Sequence, residues 1–262
     1  MAVTKRLPLK GRTILVTQAQ TQAKRFTTLL KQKGATVLHC PTIEIIPLES
    51  KETTTFLKSI QEYDWLVFMS QNAVHYFFEQ LKKHKIRKQS IHGCRIAAIG
   101  KITREALKQH KLRVNVTPSV YQSENLASAF KGNIEKRKFL ILSSLNGRPV
   151  LKESLEKKGA QVNVCSLYKT VVPVENAKML IKYICEERID AVTFTSPSTF
   201  ENFLTLLNPN SQRSLRVHLE TLTIAALGDV TAKAVEDRGF RVRVRPSEFT
   251  IPSFVNTLSR EL

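Results

Sequence analysis

Small hydroxyl side chains recur where short apolar segments end, and they are the clearest chemical pattern in the chain. Serine or threonine at such positions commonly caps a helix, and capping by itself explains any one of them. Several helix N-termini together also present unpaired N–H groups and partial positive charge, which bind anions. The pattern therefore favours a ligand with many carboxylates. The residues are Thr17, Ser70, Ser143, Ser144 and Ser196, with Thr103 and Thr231 each three residues after a lone glycine.

The charge of the chain agrees with an acidic ligand but does not identify one. The 262 residues include 41 Lys+Arg and 22 Asp+Glu, so the formal net charge is +19. Basic clusters occur at 82–88, 131–138 and 238–245. They could bind nucleic-acid phosphates, attract a small acidic molecule into a cleft, or form a solvated basic surface. Composition leaves these three interpretations open.

Several other classes of protein lack their signature in this sequence. The chain contains no P-loop, no G-x-G-x-x-G and no G-x-S-x-G motif, which argues against nucleoside triphosphatases, dinucleotide enzymes and serine hydrolases. Its four cysteines and six histidines have no zinc-binding spacing. We expect four reduced thiols and neither a metal nor an organic cofactor.

The overall composition predicts a globular cytoplasmic protein. Hydrophobic residues make up 42% of the chain and charged residues 24%, which is near the average for packed domains. No apolar segment approaches the ~18 residues that a membrane span needs. The basic N-terminus also lacks the apolar core of a secretion signal.

Alternating strands and helices must position the hydroxyl groups. Residues 13–17 form an apolar run, and apolar side chains then recur at helical spacing until Lys33 and Gly34 end the helix. The same alternation follows 66–69, 95–99, 139–142, 191–194 and 223–227. Apolar strands alternating with amphipathic helices are typical of parallel sheets covered on both faces. Ligands bind such sheets beyond the carboxyl ends of the strands, which is where the hydroxyl residues lie.

The chain also repeats itself. Residues 33–40 align with 158–165, 64–70 with 190–196, and 96–103 with 224–231, at offsets of 125 to 128 residues. Three segments in the same order predict two copies of one unit of about 125 residues. Taken alone, the repeat would divide the chain near residue 130.

Two proline-bounded segments occupy matching positions in the repeats. They are 40–47 and 167–173, and each ends in a proline, Pro47 or Pro173. Proline favours extended backbone before it. We interpret the segments as two parallel interdomain tethers; the alternative is that each is a loop inside its own domain.

The ordered set of these segments resembles the uroporphyrinogen-III synthase family. The segments that carry the resemblance are 14–17, 64–74, 96–103, 164–170, 193–198 and 225–232, within a match from about residue 12 to 258. The resemblance implies an α/β protein of two similar flavodoxin-like, doubly wound parallel-sheet domains joined by a two-stranded linker. It implies that domain one is 1–40 plus 174–262, that domain two is 48–167, and that the linkers are 41–47 and 168–173.

The resemblance also implies the activity. Members of the family are hydro-lyases of haem biosynthesis that close hydroxymethylbilane to uroporphyrinogen III, with loss of water and inversion of ring D. The substrate carries eight carboxylates, which fits the basic charge and the helix ends.

The resemblance further implies roles for individual residues. Tyr168 would be the catalytic residue, because a tyrosine hydroxyl keeps its proton at neutral pH and can donate it to the leaving hydroxyl. Gln71-Asn72 departs from the family pattern. Ser143-Ser144 also departs from it, at a place where many members of the family carry an arginine, and Arg148 is the candidate to replace that positive charge. The implied substrate-binding residues are Thr17, Ser70, Gln71, Asn72, Thr103, Ser144, Arg148, Ser196, Pro197, Ser198 and Thr231.

The partner implied is the small-molecule substrate, bound by a cytoplasmic monomer without membrane or nucleic-acid contacts. Association with the preceding or following enzyme of the pathway stays open. The alternative function is that of a non-enzymatic two-domain α/β protein that binds nucleic acid or an acidic metabolite.

Overall fold

A computed structural model describes residues 7–120, 123–186, 188–208 and 218–262. Parts of predicted domain one, including residues 1–6 and 209–217, therefore lie outside the described residues. The chain forms two compact units. The first unit is the chain up to Glu44 together with the chain from Val171 onward, and the second unit is Ile45–Thr170. The chain passes between the units within 41–47 and 168–173.

Strands and helices alternate along both units. The strands are β1 (Thr13–Val16), β2 (Thr36–His39), β3 (Glu44–Pro47), β4 (Trp65–Phe68), β5 (Arg95–Ala98), β6 (Lys138–Ser144), β7 (Gln161–Val171), β8 (Ala191–Phe194), β9 (Thr223–Ala226) and β10 (Val242–Val244). Among the described residues, the helices of seven or more residues are α1 (Gln20–Gln32), α2 (Lys51–Lys58), α3 (Gln71–Lys83), α4 (Lys101–Gln109), α5 (Ser123–Ala129), α6 (Val150–Glu156), α7 (Ala177–Glu186), α8 (Pro197–Leu207), α9 (Asp229–Glu236) and α10 (Ile251–Glu261).

The two sheets exchange halves of the sequence repeat. The first sheet has the order β10-β9-β8-β1-β2, and the second has the order β3-β7-β6-β4-β5, with Val116 in a parallel bridge to Ala97 of β5. Each sheet therefore combines the first two strands of one repeat with the later strands of the other. When the strands are numbered by their place in the repeat, both sheets have the flavodoxin-like order 2-1-3-4-5, with Val116 at the fifth position of the second sheet and β3 added beside β7. The division near residue 130 that the repeat alone predicts is wrong, because β1 pairs with β8 and β4 pairs with β6.

Both faces of each sheet are covered by helices, which confirms the α/β fold predicted from the sequence. In β4, Leu66 and Phe68 belong to one buried cluster, while Trp65 and Val67 belong to another. Successive side chains of a strand point to opposite faces, so all four residues of β4 are buried. The first sheet likewise separates two clusters.

An aspartate joins the starting ends of two neighbouring strands in each sheet. Asp64 accepts hydrogen bonds from Arg137 Nη1 and from the backbone N–H of Lys138, both at 2.8 Å. Asp190, at the matching position of the other repeat, accepts from Arg12 Nη1 and Thr13 N, also at 2.8 Å. Both carboxylates lie at the amino ends of the strands, whereas the hydroxyl residues lie at the carboxyl ends. We assign them a structural role.

Replacing Asp64 by asparagine is expected to lower the free energy of unfolding by about 1–2 kcal/mol at pH 7. Charge-assisted hydrogen bonds contribute more than this when buried, but the Asp64 side chain is one-third exposed and solvent screens part of the interaction. The hydrogen bond from the Lys138 N–H holds the pKa of Asp64 below its usual value, and the Arg137 guanidinium lowers it further. This stability is therefore present above the unfolded pKa of about 3.9 and is lost as the pH falls through the folded pKa.

Urea-induced unfolding measured between pH 7 and pH 3 checks this expectation. The difference between wild type and Asp64→Asn should shrink below about pH 4. Asp237→Asn is the matched control, because its ion pair with Lys233 is exposed and should contribute little. Equal effects of both variants at every pH would contradict the role of Asp64.

Candidate active site

The residues predicted for ligand binding lie at the carboxyl ends of the strands in both units. In the second unit, Ser143 and Ser144 end β6, Ser70 follows β4, and Thr103 lies in α4. In the first unit, Thr17 follows β1, Ser196 follows β8, and Thr231 lies in α9. The pairs β6–β4 and β1–β8 are also the points where the strand order reverses, which is the usual place for a ligand in a doubly wound sheet.

A cavity of about 270 Å³ lies at the reversal point of the second unit. One part of its wall is apolar, from Met69, Ile141, Leu151 and Val164. The rest is polar and cationic, and it includes Ser143, Ser144, Arg148, Lys152 and Tyr168. Such a wall suits a ring that carries carboxylates. A larger groove of about 640 Å³ is lined by Trp65 and Arg95, the first residues of β4 and β5, and by none of the predicted site residues.

The hydroxyl of Tyr168 is held at this cavity by a serine. Ser70 Oγ lies 2.9 Å from Tyr168 Oη and also accepts the N–H of Ala73, at 3.0 Å, as the cap of α3. On the other side the ring stacks on Tyr76, with ring centroids 5.5 Å apart, and Tyr76 donates its own hydroxyl to the Ile45 carbonyl at 2.7 Å. The position of the Tyr168 hydroxyl is therefore determined by contacts on two sides.

Four helices that begin at the carboxyl ends of the strands differ in whether a side chain caps the N–H groups of the first turn. Ser70 caps α3, and Ser196 caps α8 in a capping box with Thr199. In contrast, α4 and α9 begin after Gly100 and Gly228, and no side chain among the described residues caps them. The first-turn N–H groups of α4 and α9 are thus left for water or a ligand.

The two uncapped helices do not offer the same charge to an anion. The first residue of α4 is Lys101, whereas α9 begins with Asp229, which pairs with Arg245 at 3.0 Å. Positive charge favours an anion at a helix N-terminus and negative charge opposes it. The end of α4 is therefore the better carboxylate site. Thr103 and Thr231 occupy the third positions of these helices and are nearly buried.

The remaining predicted residues differ in what their side chains can offer. Thr17 has no exposed surface and donates its hydroxyl to the Thr193 carbonyl at 2.7 Å, so it joins β1 to β8. Gln71 and Asn72 are the first residues of α3. Pro197 and Ser198 open α8, with Ser198 Oγ 3.0 Å from Ser196 Oγ.

Two kinds of residue near the carboxyl ends of the strands were not predicted from the sequence. Lys152 lines the cavity from the first turn of α6, together with Arg148 in the loop before that helix, and its nearness in the sequence to a candidate basic residue could have indicated it. Ile102 and Val230, at matching positions in α4 and α9, are 70% and 75% exposed. Large apolar side chains so exposed at a ligand-binding edge suit contact with a flat ring. They could have been found as breaks in the amphipathic pattern of the two helices.

No described cysteine lines the cavity that contains Tyr168. All four thiols are free, and burial raises the pKa of both Cys40 and Cys165 to about 12, which makes them inert at neutral pH. Among the described residues no cluster of histidine, cysteine, aspartate and glutamate could hold a metal ion. No helix in the described part of the chain is long and apolar enough to cross a membrane.

Comparison with known proteins points to one family. The family model described as uroporphyrinogen-III synthase HemD matches residues 24–256. The uroporphyrinogen-III synthases of Chlorobaculum parvum and Synechococcus elongatus are 26% and 27% identical to this chain. The first match covers 96% of this chain and 99% of the relative, and the second covers 93% of each.

Solved structures of similar proteins share the fold. A uroporphyrinogen III synthase from Thermus thermophilus superimposes with a TM-score of 0.64 at 18% identity, covering 95% of this chain and 98% of that one. A uroporphyrinogen-III synthetase from Helicobacter pylori gives a TM-score of 0.61 at 17% identity, covering 94% and 97%.

Proposed function

Because the chain belongs to the uroporphyrinogen-III synthase family, a family of lyases in tetrapyrrole biosynthesis, we propose that it closes hydroxymethylbilane to uroporphyrinogen III at the strand edges described above. The reaction loses water and inverts ring D. The observation that carries the proposal is the hydroxyl of Tyr168, held by Ser70 at a cavity with an apolar wall and a cationic wall. The family does not favour the alternative of a non-enzymatic binding protein.

Tyr168 assists the departure of the substrate hydroxyl. Ser70 Oγ already accepts the N–H of Ala73, so its own proton is available to Tyr168 Oη, and the Tyr168 proton is then available to the substrate. The C–O bond of the hydroxymethyl group breaks, its electron pair leaves with oxygen, and the proton from Tyr168 completes the water molecule. The pyrrole stabilises the cationic carbon that remains until the last ring attacks it, and the proton that the last ring loses on closure replaces the one that Tyr168 donated.

The cavity of the second unit takes the ring that carries the hydroxymethyl group. A volume of about 270 Å³ lies just below the usual range for ligand pockets, which begins at about 300 Å³, so the cavity admits one substituted pyrrole of the four. The apolar side chains contact the ring face, and Arg148 and Lys152 bind its carboxylates. Other carboxylates bind to the N–H groups of α4, with Ile102 against a neighbouring ring.

The proposal extends to the organisation of the enzyme. We assign residues 1–40 with 174–262 and residues 48–167 to two domains joined by the linkers 41–47 and 168–173. We propose that the enzyme acts as a monomer, as the family resemblance implies. Cytoplasmic location follows from the sequence argument.

An assay with freshly prepared hydroxymethylbilane tests the activity. The wild-type protein should form the type III isomer, which requires ring inversion, faster than the substrate closes by itself to the type I isomer. Chromatography of the oxidised products separates the two. Formation of the type I isomer alone, at the rate seen without protein, would contradict the proposed function.

Thr103→Val and Thr231→Val are each expected to lower kcat/KM by about two- to tenfold, the effect of one neutral hydrogen bond. Neither hydroxyl has a hydrogen-bond partner in the described part of the chain, so thermal stability should hardly change. Steady-state kinetics and thermal unfolding are measured on the same preparations.

Thr205→Val serves as the control for the threonine variants, since Thr205 is an exposed residue of α8 that bonds only the Glu201 carbonyl. It should retain full activity. Losses of activity at Thr103 and Thr231 that simply follow a loss of stability would remove both hydroxyls from the site.

A further inference from the structure

Gln18 lies at the point of the first sheet where the strand order reverses. It comes two residues after the end of β1 and two residues before the start of α1, in the connection next to β8. In the second unit the corresponding edge holds the cavity with Tyr168. Ligands of doubly wound sheets bind at this point, yet Gln18 is absent from the binding residues that the sequence implies.

The side chain of Gln18 is buried without a partner. Only 7% of the residue is exposed, and Oε1 has no hydrogen-bond partner among the described residues. Buried polar atoms are nearly always hydrogen-bonded, because leaving one unpaired destabilises the fold. An oxygen in this state needs a donor from a water molecule or from a ligand.

The backbone around Gln18 is held in place, so the side chain cannot simply turn out to solvent with its loop. The Gln18 carbonyl lies 2.9 Å from His39 Nε2, and the Thr17 carbonyl accepts the N–H of Thr42 at 3.0 Å. Thr17 is itself bonded to Thr193 of β8. The backbone that carries the unpaired oxygen is therefore held in place.

The chemistry of the bound molecule follows from the atom that lacks a partner. A neutral carbonyl oxygen accepts hydrogen bonds and does not attract carboxylates. Hydroxymethylbilane has eight carboxylates, which are acceptors, and four pyrrole N–H groups, which are donors. We propose that Gln18 Oε1 accepts a hydrogen bond from a pyrrole N–H of the substrate. This inference rests on the proposed function, and it adds recognition of the ring nitrogens to recognition of the carboxylates.

The first uncapped turn of α1 supports this arrangement. Its N-cap is Ala19, which offers no side-chain oxygen to the helix. The adjacent N–H groups can bind a carboxylate on the ring whose nitrogen Gln18 holds. One pyrrole would then be fixed by its nitrogen and by a side chain.

The test compares Gln18→Met, Gln18→Glu and the control Gln32→Met. Methionine keeps the length of the side chain and removes the oxygen, glutamate keeps an acceptor oxygen, and Gln32 is exposed at the other end of α1. Gln18→Met should lower kcat/KM by about two- to tenfold while thermal stability stays the same or rises, since an unpaired polar atom is gone. Gln32→Met should behave as the wild type.

Gln18→Glu tests whether the Gln18 amide accepts a hydrogen bond from a pyrrole N–H or donates one to a substrate carboxylate. At about 0.5 M salt, where repulsion of the substrate carboxylates is screened, it should be at least as active as Gln18→Met. Lower activity than Gln18→Met would mean that the amide donates to a carboxylate, and it would overturn the proposal. Unchanged activity of Gln18→Met, or a loss that follows a loss of stability, would also overturn it.

The same experiments separate failure of this inference from failure of the proposed function. An inactive wild-type protein would refute both. An active wild type with an equally active Gln18→Met would refute only the pyrrole contact, and would leave a water molecule as the partner of Oε1.

Discussion

Tyr168→Phe is expected to lower kcat by about a hundredfold while the protein keeps its fold. The substitution removes the one hydroxyl that the structure holds between Ser70 and the cavity, and it leaves the ring stacked on Tyr76. A positioned general acid contributes about 10²–10⁴-fold to a rate, and the lower figure applies where water can replace it. KM should change little, because the ring and the cationic residues remain.

Single-turnover kinetics with the enzyme in saturating excess over the substrate measure this effect without interference from product release. Tyr63→Phe is the matched control, because Tyr63 is an equally buried tyrosine of the second unit whose hydroxyl bonds Asn163 Oδ1 at 3.2 Å. It should affect stability and leave kcat unchanged. A wild-type kcat for Tyr168→Phe would remove Tyr168 from the mechanism.

A double substitution tests whether Ser70 acts through Tyr168. Ser70→Ala alone should reduce kcat, and it should also destabilise α3 by about 1 kcal/mol through loss of the cap. In the Tyr168→Phe background the same change should cause no further loss of kcat. Additive losses would show that Ser70 contacts the substrate independently.

Replacing both Arg148 and Lys152 by glutamine is expected to raise KM by about a hundredfold with a small effect on kcat. Both side chains line the cavity that contains Tyr168, and hydrogen bonds to charged groups are each worth about 1.5–3 kcal/mol, or about tenfold after screening at this open edge. Each single variant should show about half of the effect on a logarithmic scale.

The dependence on salt distinguishes binding at the cavity from the general field of the protein. KM of the wild type should rise with ionic strength, and KM of the double variant should rise less, because two of the interacting charges are gone. The control removes the same net charge from exposed positions elsewhere in the second unit, with Lys58→Gln and Lys157→Gln. An equal rise of KM in the control would mean that net charge alone attracts the substrate.

The sequence by itself determined the local structure of this protein. The apolar run of β4 and the serine after it predict a buried strand followed by a capped helix, and Leu66, Phe68 and Ser70 are found in these roles. Gly34 ends α1 with a positive φ of 95°, as expected for a glycine at a helix end. These features depend on residues within about one turn of each other, so a local pattern is enough to predict them.

Pairing between the strands was decided only by the tertiary structure. The repeat shows that β1 and β6 are equivalent, and equivalent strands can pair with either copy of the later strands. Parallel strands bond through backbone groups that are the same for every partner, so the local pattern does not distinguish β1–β8 from β1–β4. The family resemblance supplied the topology that the repeat could not.

The state of each candidate side chain was also settled in three dimensions. The sequence shows Thr17, Ser70 and Thr103 as similar hydroxyl residues near strand ends. In the structure the Thr17 hydroxyl donates to the Thr193 carbonyl, and the Ser70 hydroxyl bonds the Ala73 N–H and Tyr168 Oη. Gln18 has no sequence signal, since its significance lies in a buried oxygen without a partner. The partners Thr193 and Tyr168 lie about a hundred or more positions away in the chain, because Thr17 meets Thr193 and Ser70 meets Tyr168 only in the folded sheets.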